Sequence, residues 1–250
     1  MFKNKKILCV IPARSGSKGL KNKNLLKINN RELIYYPIKA ALKSKYIDYI
    51  LFSSDSKKYN NIAKKYKASC PFIRPKKFSM DKSTSYQVIK HGIEFLKEKN
   101  KKTFDYVICL EPTSPLTNHK DVDRCIKKII NTKSNSLVSV MRSEKYSIPY
   151  HFVLKKDGRI LPFVSGNNFK KRRQLIKNTY ILDGSLYIAK IKDYFKYKGF
   201  FTKKTICEIM PKIKNLEIDD ILDYKMIKYY LENKKWKTLL LLGVVNMQKK

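Results

Sequence analysis

The chain has 250 residues, of which 43% are apolar and 12% aromatic, a composition that supports one large domain with a real core and argues against disorder. Its net charge is +36, from 56 Lys and Arg against 20 Asp and Glu. A balance this basic suggests a nucleic acid or a membrane surface as partner. The excess, however, is nearly all evenly spread lysine that accompanies many Asn, Ile and Tyr residues, as A/T-rich codons produce. We therefore expect no nucleic-acid partner.

The cysteines and the apolar runs point to a cytoplasmic protein. The five cysteines lie far apart and form no CxxC pair, which predicts buried free thiols and no zinc site; they are Cys9, Cys70, Cys109, Cys125 and Cys207. Near the N-terminus, ILCVIPA is followed at once by Arg14, which predicts a first strand rather than a signal peptide. The longest apolar run, residues 239–245, is far shorter than the ~20 residues that a membrane span requires.

Strand and helix patterns alternate along the first part of the chain. The predicted strands are KKILCVI, DYILFSS, DYVICLEP and SLVSVM. The predicted helices are ELIYYPIKAALKS starting near Pro37, KKYNNIAKKY capped by Asp55 or Ser56, TSYQVIKHGIEFLKE, and DVDRCIKKII capped by Asn118. This order predicts an α/β fold, a three-layer sandwich with a mostly parallel sheet between helices. Ligands bind past the carboxyl ends of such strands, where loops 12–24, 53–56, 111–117 and 141–147 are expected.

The pattern changes over residues 142–180. YHFVLKKDGRILPFV predicts a hairpin around Asp157-Gly158, and the basic loop NNFKKRRQ follows. This stretch is typical of an insertion that leaves the sheet. YILDGSLYIAK then returns as a strand, and NLEIDDILDYKMIKYYLE predicts a strand end followed by a helix capped near Asp219 or Asp220. We expect one domain over residues 1–235 and a tail of unassigned role over 236–250.

The loop IPARSGSKGLKNKN follows the first predicted strand. It matches neither GxxxxGK[ST] nor GxGxxG, because Gly16 and Gly19 are spaced only as GxxG. Its glycines nevertheless allow backbone N–H groups to approach an anion, and Arg14, Lys18 and Lys23 supply positive charge. The composition is compatible with a phosphate-binding loop and equally with a solvated basic turn.

Three further segments combine side chains of chemical interest. LEPTSPLT presents the hydroxyls of Thr113 and Ser114, or simply terminates a strand. EIDD places Glu217 and Asp219 on one face of an extended segment, where paired carboxylates suit Mg²⁺ or Mn²⁺; the alternative is a set of helix-capping acids. KKRRQ, residues 170–174, is either a site for an acidic group or a solvated charged surface.

The order of these four segments resembles one family over about residues 5–232. It is the acylneuraminate (nonulosonate) cytidylyltransferases, also called CMP-sialic acid synthetases. IPARSGSKGLKNKN is similar to their signature loop almost letter for letter, and Arg74-Pro75 followed by MDKSTS is similar to their nucleotide-side segment. The resemblance implies a Rossmann-like fold of the nucleotide-diphospho-sugar transferase type. It also implies Mg²⁺-dependent transfer of CMP from CTP to a nine-carbon acidic sugar, with release of pyrophosphate, for lipopolysaccharide or capsule synthesis.

The resemblance also implies the roles of individual residues. The expected CTP-binding residues are Arg14, Ser17, Lys18, Lys23, Asn24, Asp81, Ser83, Ser85, Glu111, Thr113 and Ser114. The expected sugar-binding residues are Glu111, Arg173, Gln174 and Tyr187. Asp219, helped by Glu217, would hold the metal, and Lys18, Arg14 and Asp219 would act in catalysis.

Three positions depart from the family pattern. Glu111 stands where Gln is common, Asp183 where Asn is found, and Glu217 where Asp is frequent. The insertion resembles the segment that joins two subunits, which implies a homodimer in which Arg172 and Arg173 serve the neighbouring site. The sugar stays open between sialic, legionaminic and pseudaminic acids. The alternatives are a 3-deoxy-octulosonate cytidylyltransferase of the same fold and a non-catalytic nucleic-acid-binding protein.

Overall fold

The computed structural model describes residues 1–16, 19–143, 151–156, 158–163 and 178–233. Within these residues the chain forms ten strands and six α-helices. The strands are β1 (Ile7–Pro12), β2 (Lys27–Ile28), β3 (Arg31–Glu32), β4 (Tyr49–Ser53), β5 (Tyr106–Leu110), β6 (Ser136–Arg142), β7 (Phe152–Leu154), β8 (Ile160–Pro162), β9 (Tyr180–Lys190) and β10 (Thr205–Ile209). The helices are α1 (Tyr35–Lys43), α2 (Lys57–Lys65), α3 (Ser85–Asn100), α4 (His119–Asn131), α5 (Ile191–Tyr197) and α6 (Ile221–Glu232).

Six strands form one central sheet in the order β10-β6-β9-β5-β1-β4. β4, β1 and β5 run parallel, as do β6 and β10, whereas β9 is antiparallel to both β5 and β6. The reversal has a simple cause: β6 leaves the sheet at Arg142, and the chain returns opposite it at Tyr180. The predicted α/β fold with a mostly parallel sheet is confirmed.

Helices cover both faces of the sheet. The central strand β1 is apolar throughout, so it has side chains to bury on each face. Ile7, Cys9 and Ile11 face one core together with α1, α2 and α4. Leu8 and Val10 face a second core with α3 and α5. Such continuous apolar runs are typical of strands that are buried on both sides. The predicted three-layer arrangement follows from this alternation.

Side-chain caps fix where several helices begin. Ser56 accepts from Tyr59 N at the start of α2, and Asn118 and Asp220 form capping boxes at α4 and α6. Since each cap satisfies N–H groups that a helix leaves free, three predicted boundaries are confirmed. Thr84 caps α3 in the same way.

Other predictions at this level were incomplete or wrong. The EIDD segment is not the end of a strand, since residues 216–218 are extended without a ladder partner. The short hairpin β2–β3, helix α5 and edge strand β10 were not predicted, because none of them carries a long periodic pattern. The five cysteines are free, but Cys207 on β10 is exposed, contrary to the expectation that all are buried.

The predicted insertion forms a projecting hairpin. β7 and β8 pair antiparallel, with Leu154 opposite Ile160 across the turn that contains Gly158, which confirms the predicted hairpin. Residues 144–150, 157 and 164–177 lie outside the described part, as does the tail from residue 234 onward. Among the described helices, none is both long enough and apolar enough to cross a membrane.

Candidate active site

A cleft of about 430 Å³ lies at the carboxyl ends of the central strands. Two of the four predicted loops, 12–24 and 111–117, meet there, which is the position expected for the ligand of an open α/β sheet. The cleft is lined by Pro12, Arg14, Gly19, Lys23, Asn24, Arg74, Phe78, Ser79, Met80, Asp81, Ser83, Ser85, Val88, Glu111, Pro112, Thr113 and Asp219. Residues that lie up to 207 positions apart in sequence thus share one surface.

Hydrogen bonds fix the loop after β1 beside the cleft. Ser15 donates to Asp55 twice, from its backbone N at 2.8 Å and from its hydroxyl at 3.0 Å. The buried Asn24 donates from Nδ2 to the carbonyl of Arg14 at 3.1 Å. These contacts fix the backbone beside Arg14, so the loop after the first strand is anchored on both sides. Ser17 and Lys18 lie outside the described residues.

Two cations of the cleft are paired with carboxylates. Arg14 Nη1 lies 2.6 Å from Asp81 Oδ1, and Lys23 Nζ lies 3.2 Å from Asp219 Oδ1. The carboxylates are the more exposed partners, at 48% for Asp81 and 73% for Asp219. Exposed pairs of this kind are worth about 0–1 kcal/mol, so an anion of higher charge can displace either carboxylate.

Arg74 is a third cation in the cleft. The sequence analysis noted it in a segment that resembles the family but assigned it no role of its own. Only 3% of the residue is exposed, its Nε donates to Ser79 Oγ at 3.0 Å, and within the described residues it forms no salt bridge. Burial lowers the pKa of the guanidinium and Arg14 adds to this effect, whereas the charges of Asp55 and Glu111 oppose it. A buried cation that borders a cleft and has no direct carboxylate partner among the described residues favours an anionic ligand.

The loop after β5 is clamped between β9 and the segment before α6. Glu111 N donates to the carbonyl of Ser185 at 3.3 Å, and Ile218 N donates to the carbonyl of Thr113 at 2.9 Å. The Thr113 hydroxyl donates to Glu217 Oε1 at 2.8 Å. The predicted TSP loop and the predicted carboxylate pair are therefore one connected unit.

Glu217 and Asp219 lie close enough for the charge of Asp219 to raise the pKa of Glu217. Ile218 between them is fully buried. Asp220 caps α6, and Asp223 accepts from the backbone N of Asp219. The capping interpretation of EIDD is confirmed for Asp220 and Asp223. Asp219 borders the cleft, and its metal-binding role stays a prediction.

Burial shifts the titration of two of these acids. The pKa of the partly buried Glu111 is raised to about 7, first by burial and then by the charge of Glu217, against the opposing hydrogen bond from the Cys109 thiol. The pKa of Glu217 is also raised, by burial and by Asp219, while the Thr113 hydrogen bond lowers it. Neighbouring acids with raised pKa values, one of which lines a cleft, are typical of functional sites.

Gly184 allows the chain to pass close to Glu217. Its φ is +71°, and a Cβ at this position would lie 2.5 Å from a carboxylate oxygen of Glu217. The adjoining Asp183 is buried, and it accepts from Ser139 Oγ and from Ser185 N and Oγ. Asp183, one of the three positions that depart from the family pattern, thus fixes the backbone of its own segment. It does not line the cleft.

Three predicted site residues that the structure describes lie away from the lining: Glu217, which contacts Thr113, and Ser114 and Tyr187. Ser114 is buried with an unpaired hydroxyl, and its backbone N donates to Glu111 O. Tyr187 packs against Phe200 with ring centroids 5.5 Å apart, and burial together with nearby Glu111 raises its pKa. Arg173 and Gln174 fall outside the described residues. Sequence reasoning missed Phe78 and Ser79, which border the cleft just before the quoted MDKSTS segment, and gave no role to Met80, the first residue of that segment.

A family model described as Cytidylyltransferase matches residues 8–235. The chain belongs to the cytidylyltransferase family. It is therefore a nucleotidyltransferase that uses CTP, as the resemblance of its loops implied. Glycine positions in the first loop and the Arg-Pro segment were the sequence signals that located this family.

Individual relatives agree with the family model. The chain is 32% identical over 223 residues to a pseudaminic acid cytidylyltransferase of Campylobacter jejuni, covering 89% of this chain and 95% of the relative. It is 33% identical over 223 residues to an N-acylneuraminate cytidylyltransferase of Escherichia coli, covering 88% of this chain but 51% of that longer relative. A solved CMP:2-keto-3-deoxy-manno-octonic acid synthetase complexed with CTP has a TM-score of 0.64 at 15% identity, covering 89% of this chain and 97% of that one. This last likeness confirms the fold.

Proposed function

We propose that this cytidylyltransferase transfers CMP from CTP to the anomeric hydroxyl of a nine-carbon acidic sugar, releasing pyrophosphate. The product would be a CMP-activated sugar for surface glycan synthesis. The observation that carries the proposal is the convergence of Arg14, Lys23, Arg74 and the Asp219 carboxylate around one cleft. Glu217 adjoins the cleft through its hydrogen bond from Thr113, which lines it. Cations suit a triphosphate, and the carboxylates suit the metal that accompanies it.

The sugar class rests on the relatives. Those with about a third of their residues identical are named for pseudaminic and N-acylneuraminic acids, which are both nine-carbon acids. The 3-deoxy-octulosonate alternative has support only from a structure at 15% identity, a likeness that concerns the fold. We therefore favour a sialic, legionaminic or pseudaminic acid, with Arg173 and Gln174 proposed to contact its carboxylate.

The proposed nucleotide site follows the lining of the cleft. Arg14, Lys23 and Arg74 would bind the triphosphate, and Asn24 would hold the loop that carries Arg14. Lys18, with Ser17 beside it, is proposed to stabilise the charge that develops at the α-phosphate. Asp81, Ser83 and Ser85 line the same cleft, where they would meet the nucleoside.

The carboxylates of the cleft fit a divalent cation. Glu217 and Asp219 offer oxygen ligands from the segment before α6, and their mutual repulsion contributes to the raised pKa of Glu217. Within the described residues no group of three or more His, Cys, Asp or Glu side chains could hold a metal. Two carboxylates suit Mg²⁺ or Mn²⁺, because such ions keep water and substrate phosphates as further ligands. The bound ion would neutralise phosphate charge.

The reaction would be an in-line displacement at the α-phosphorus. The anomeric oxygen forms the new P–O bond, the bond to the β-phosphate oxygen breaks, and pyrophosphate leaves. Asp219 is open to the cleft and is proposed to accept the proton of the attacking hydroxyl. The remaining contribution of the protein is positioning and charge stabilisation.

The test is a panel of nonulosonic acids and 3-deoxy-octulosonate, each incubated with CTP and Mg²⁺, with release of pyrophosphate as the readout. We expect release with at least one nine-carbon acid. Lys23→Ala should reduce kcat/KM by very roughly 10²-fold, whereas Lys21→Ala, a change at an exposed lysine of the same loop, should leave it near wild type. The proposal would be contradicted if folded protein released pyrophosphate with none of the sugars. Tighter binding to random DNA than to CTP would favour the nucleic-acid alternative.

We further propose a cytoplasmic homodimer that is joined through the insertion. Large apolar side chains of the hairpin and of the start of β9 are 38–71% exposed, more than a monomer of this size usually leaves on one element. They are Phe152, Val153, Leu154, Ile160, Leu161, Phe163, Tyr180, Ile181 and Leu182. The molar mass from light scattering should be twice that of the chain, and Leu154→Glu with Leu161→Glu should halve it.

A further inference from the structure

The acids Glu217 and Asp219 lie on a connection that belongs to no strand and no α-helix. The chain leaves the sheet where β10 ends at Ile209, and it makes one short 3-10 turn over Lys212–Asn215 before α6 begins at Ile221. Within the described residues, no ladder of backbone hydrogen bonds therefore holds the two carboxylates in place. Their position depends on the individual contacts that this connection makes.

Lys214, in that turn, forms a buried ion pair with Asp121 of α4. Its Nζ donates to Asp121 Oδ2, and the two side chains are only 15% and 2% exposed. The same oxygen accepts from the backbone N of Asn118 at 3.0 Å, where α4 begins, and Asp121 Oδ1 accepts from Arg124 at 3.1 Å. A buried carboxylate needs such partners, because an unpaired charge away from water is costly.

A second contact ties the connection to the same part of the chain. Ile218, which lies between the two acids, donates from its backbone N to the carbonyl of Thr113 at 2.9 Å. Thr113 lines the cleft, and the chain runs from it directly into α4 and Asp121. The stretch from Lys214 to Ile218 is thus fastened at both ends to one continuous piece, residues 113–121.

We propose that the Lys214–Asp121 ion pair is a positioning contact of the cleft. It would hold the segment of Glu217 and Asp219 against the loop after β5, so that both carboxylates can bind one divalent cation. The inference rests on the proposed metal site and adds to it two residues that do not touch the metal. A chain that is fixed on both sides of its ligands has few positions to sample, which favours a preformed site.

Other contacts of the connection are weaker or lie farther from the acids. Asn215 places its amide against the Met141 sulfur, and a thioether is a weak acceptor. Before it, Met210 N donates to the carbonyl of Val140 at 2.8 Å, at the end of the sheet. Without the ion pair, the loosely held stretch would begin near Met210, and a longer stretch samples more positions.

The charge of Lys214 by itself would have the opposite effect on metal binding. A cation near two carboxylates repels a divalent ion, so removing its charge should strengthen metal binding through the electric field alone. Loss of the ion pair as a positioning contact should weaken metal binding. A role confined to stability would leave the metal dependence of the folded protein unchanged. The sign of the change therefore separates the three roles.

The experiment compares wild type, Lys214→Met, Lys214→Arg and the control variant Lys128→Met. Methionine keeps an apolar stem without the charge, and arginine restores the charge. Lys128 pairs with Glu208 at 2.9 Å on the same side of α4, so the control loses an equal charge and an ion pair while the contacts of Asp121 stay intact.

The first readout is the Mg²⁺ concentration that gives half-maximal release of pyrophosphate. We expect it to rise about tenfold in Lys214→Met, since groups that orient metal ligands change metal affinity by this order, and to stay within about twofold of wild type in Lys214→Arg and Lys128→Met. The Kd of CTP in EDTA, measured by calorimetry, should be the same in all four proteins, because Arg14, Lys23 and Arg74 are untouched.

Amide hydrogen exchange in EDTA, read by mass spectrometry, provides a second readout that needs neither metal nor turnover. The peptide over residues 215–220 should exchange about tenfold faster in Lys214→Met, because the bond from Ile218 N to Thr113 opens more often. β1 should keep wild-type protection in every folded variant. If wild type released no pyrophosphate with any sugar, the proposed function would fail, whereas this exchange would still decide whether the pair holds the acids in place.

The proposal is overturned if folded Lys214→Met needs the same or less Mg²⁺ than wild type, or if residues 215–220 exchange at the wild-type rate. An equal shift in Lys128→Met would overturn it as well, since the effect would then belong to the charge. Should Lys214→Met not fold, Lys214→Gln takes its place with an expected rise of about threefold, because its amide can still donate one neutral hydrogen bond to Asp121; no rise there would equally reject the proposal.

Discussion

Replacing Glu111 by Gln tests the electrostatics of the cleft directly. Burial raises the pKa of Glu111 from 4.5 to about 7. Because one pH unit corresponds to about 1.4 kcal/mol, the ionised carboxylate costs the folded protein about 3 kcal/mol relative to the unfolded chain. Glutamine cannot ionise, and its Oε1 can still accept from the Cys109 thiol, which lies 3.3 Å from Glu111 Oε1.

The direction of the pH dependence follows from the raised pKa. Between pH 4.5 and pH 7 the folded state keeps the Glu111 proton while the unfolded state has lost it, so stability falls as the pH rises. Above pH 7 both states are ionised and the loss is complete. We expect the Glu111→Gln variant to gain about 2.5 kcal/mol on wild type between pH 5 and pH 8.

The assay is guanidinium unfolding followed by circular dichroism at pH 5, 6, 7 and 8, with EDTA present to remove divalent cations. Glu94→Gln is the matched control, because Glu94 is exposed and only pairs with Lys90 on the same helix. Its stability difference from wild type should stay within about 0.5 kcal/mol at every pH. A Glu111→Gln difference that is the same at pH 5 and pH 8 would refute the reasoning.

Three other substitutions probe the carboxylate side of the cleft. Gly184→Ala should destabilise the fold by about 1–2 kcal/mol in thermal unfolding and reduce turnover, because of its positive φ and its closeness to Glu217; unchanged turnover would contradict this. Thr113→Val should move the acid limb of the pH–kcat profile to higher pH, since the lost hydrogen bond lowers the pKa of Glu217; an unmoved limb would count against it. Asp219→Asn should free Lys23, so that calorimetry in EDTA gives a CTP Kd about two- to fivefold lower and Mg²⁺ adds less than in wild type; weaker metal-free binding would argue otherwise.

Local signals predicted much of this fold because they act within a few residues. Apolar runs marked β1 and β5, and capping residues such as Ser56 and Asn118 marked helix starts. β10 was not predicted, because its five half-exposed residues, Thr205–Ile209, show no clear alternation of apolar and polar side chains. The antiparallel course of β9 depends on where the inserted arm returns, which no local pattern encodes.

The site shows the same division between local and distant causes. The basic loop of Arg14 and Lys23 suggested an anion site by its composition. Arg74 was noted only as part of a segment that resembles the family, because its character as a buried cation arises when other segments cover it. The raised pKa of Glu111 likewise depends on Glu217, 106 positions away in sequence. Side-chain identity could be read from the sequence, whereas the desolvation that gives these groups their chemistry arises only when distant segments pack.

The ion pairs of the cleft explain how one site can hold both strong cations and exposed carboxylates without substrate. Arg14 and Lys23 are each neutralised by a carboxylate that is more exposed than the cation, so the cleft avoids the repulsion of uncompensated positive charge. A triphosphate carries more negative charge than either carboxylate and can replace both. Asp219, once released from Lys23, then becomes available to a metal or a proton. The cations and Asp219 therefore reach their proposed roles together, as a consequence of nucleotide binding.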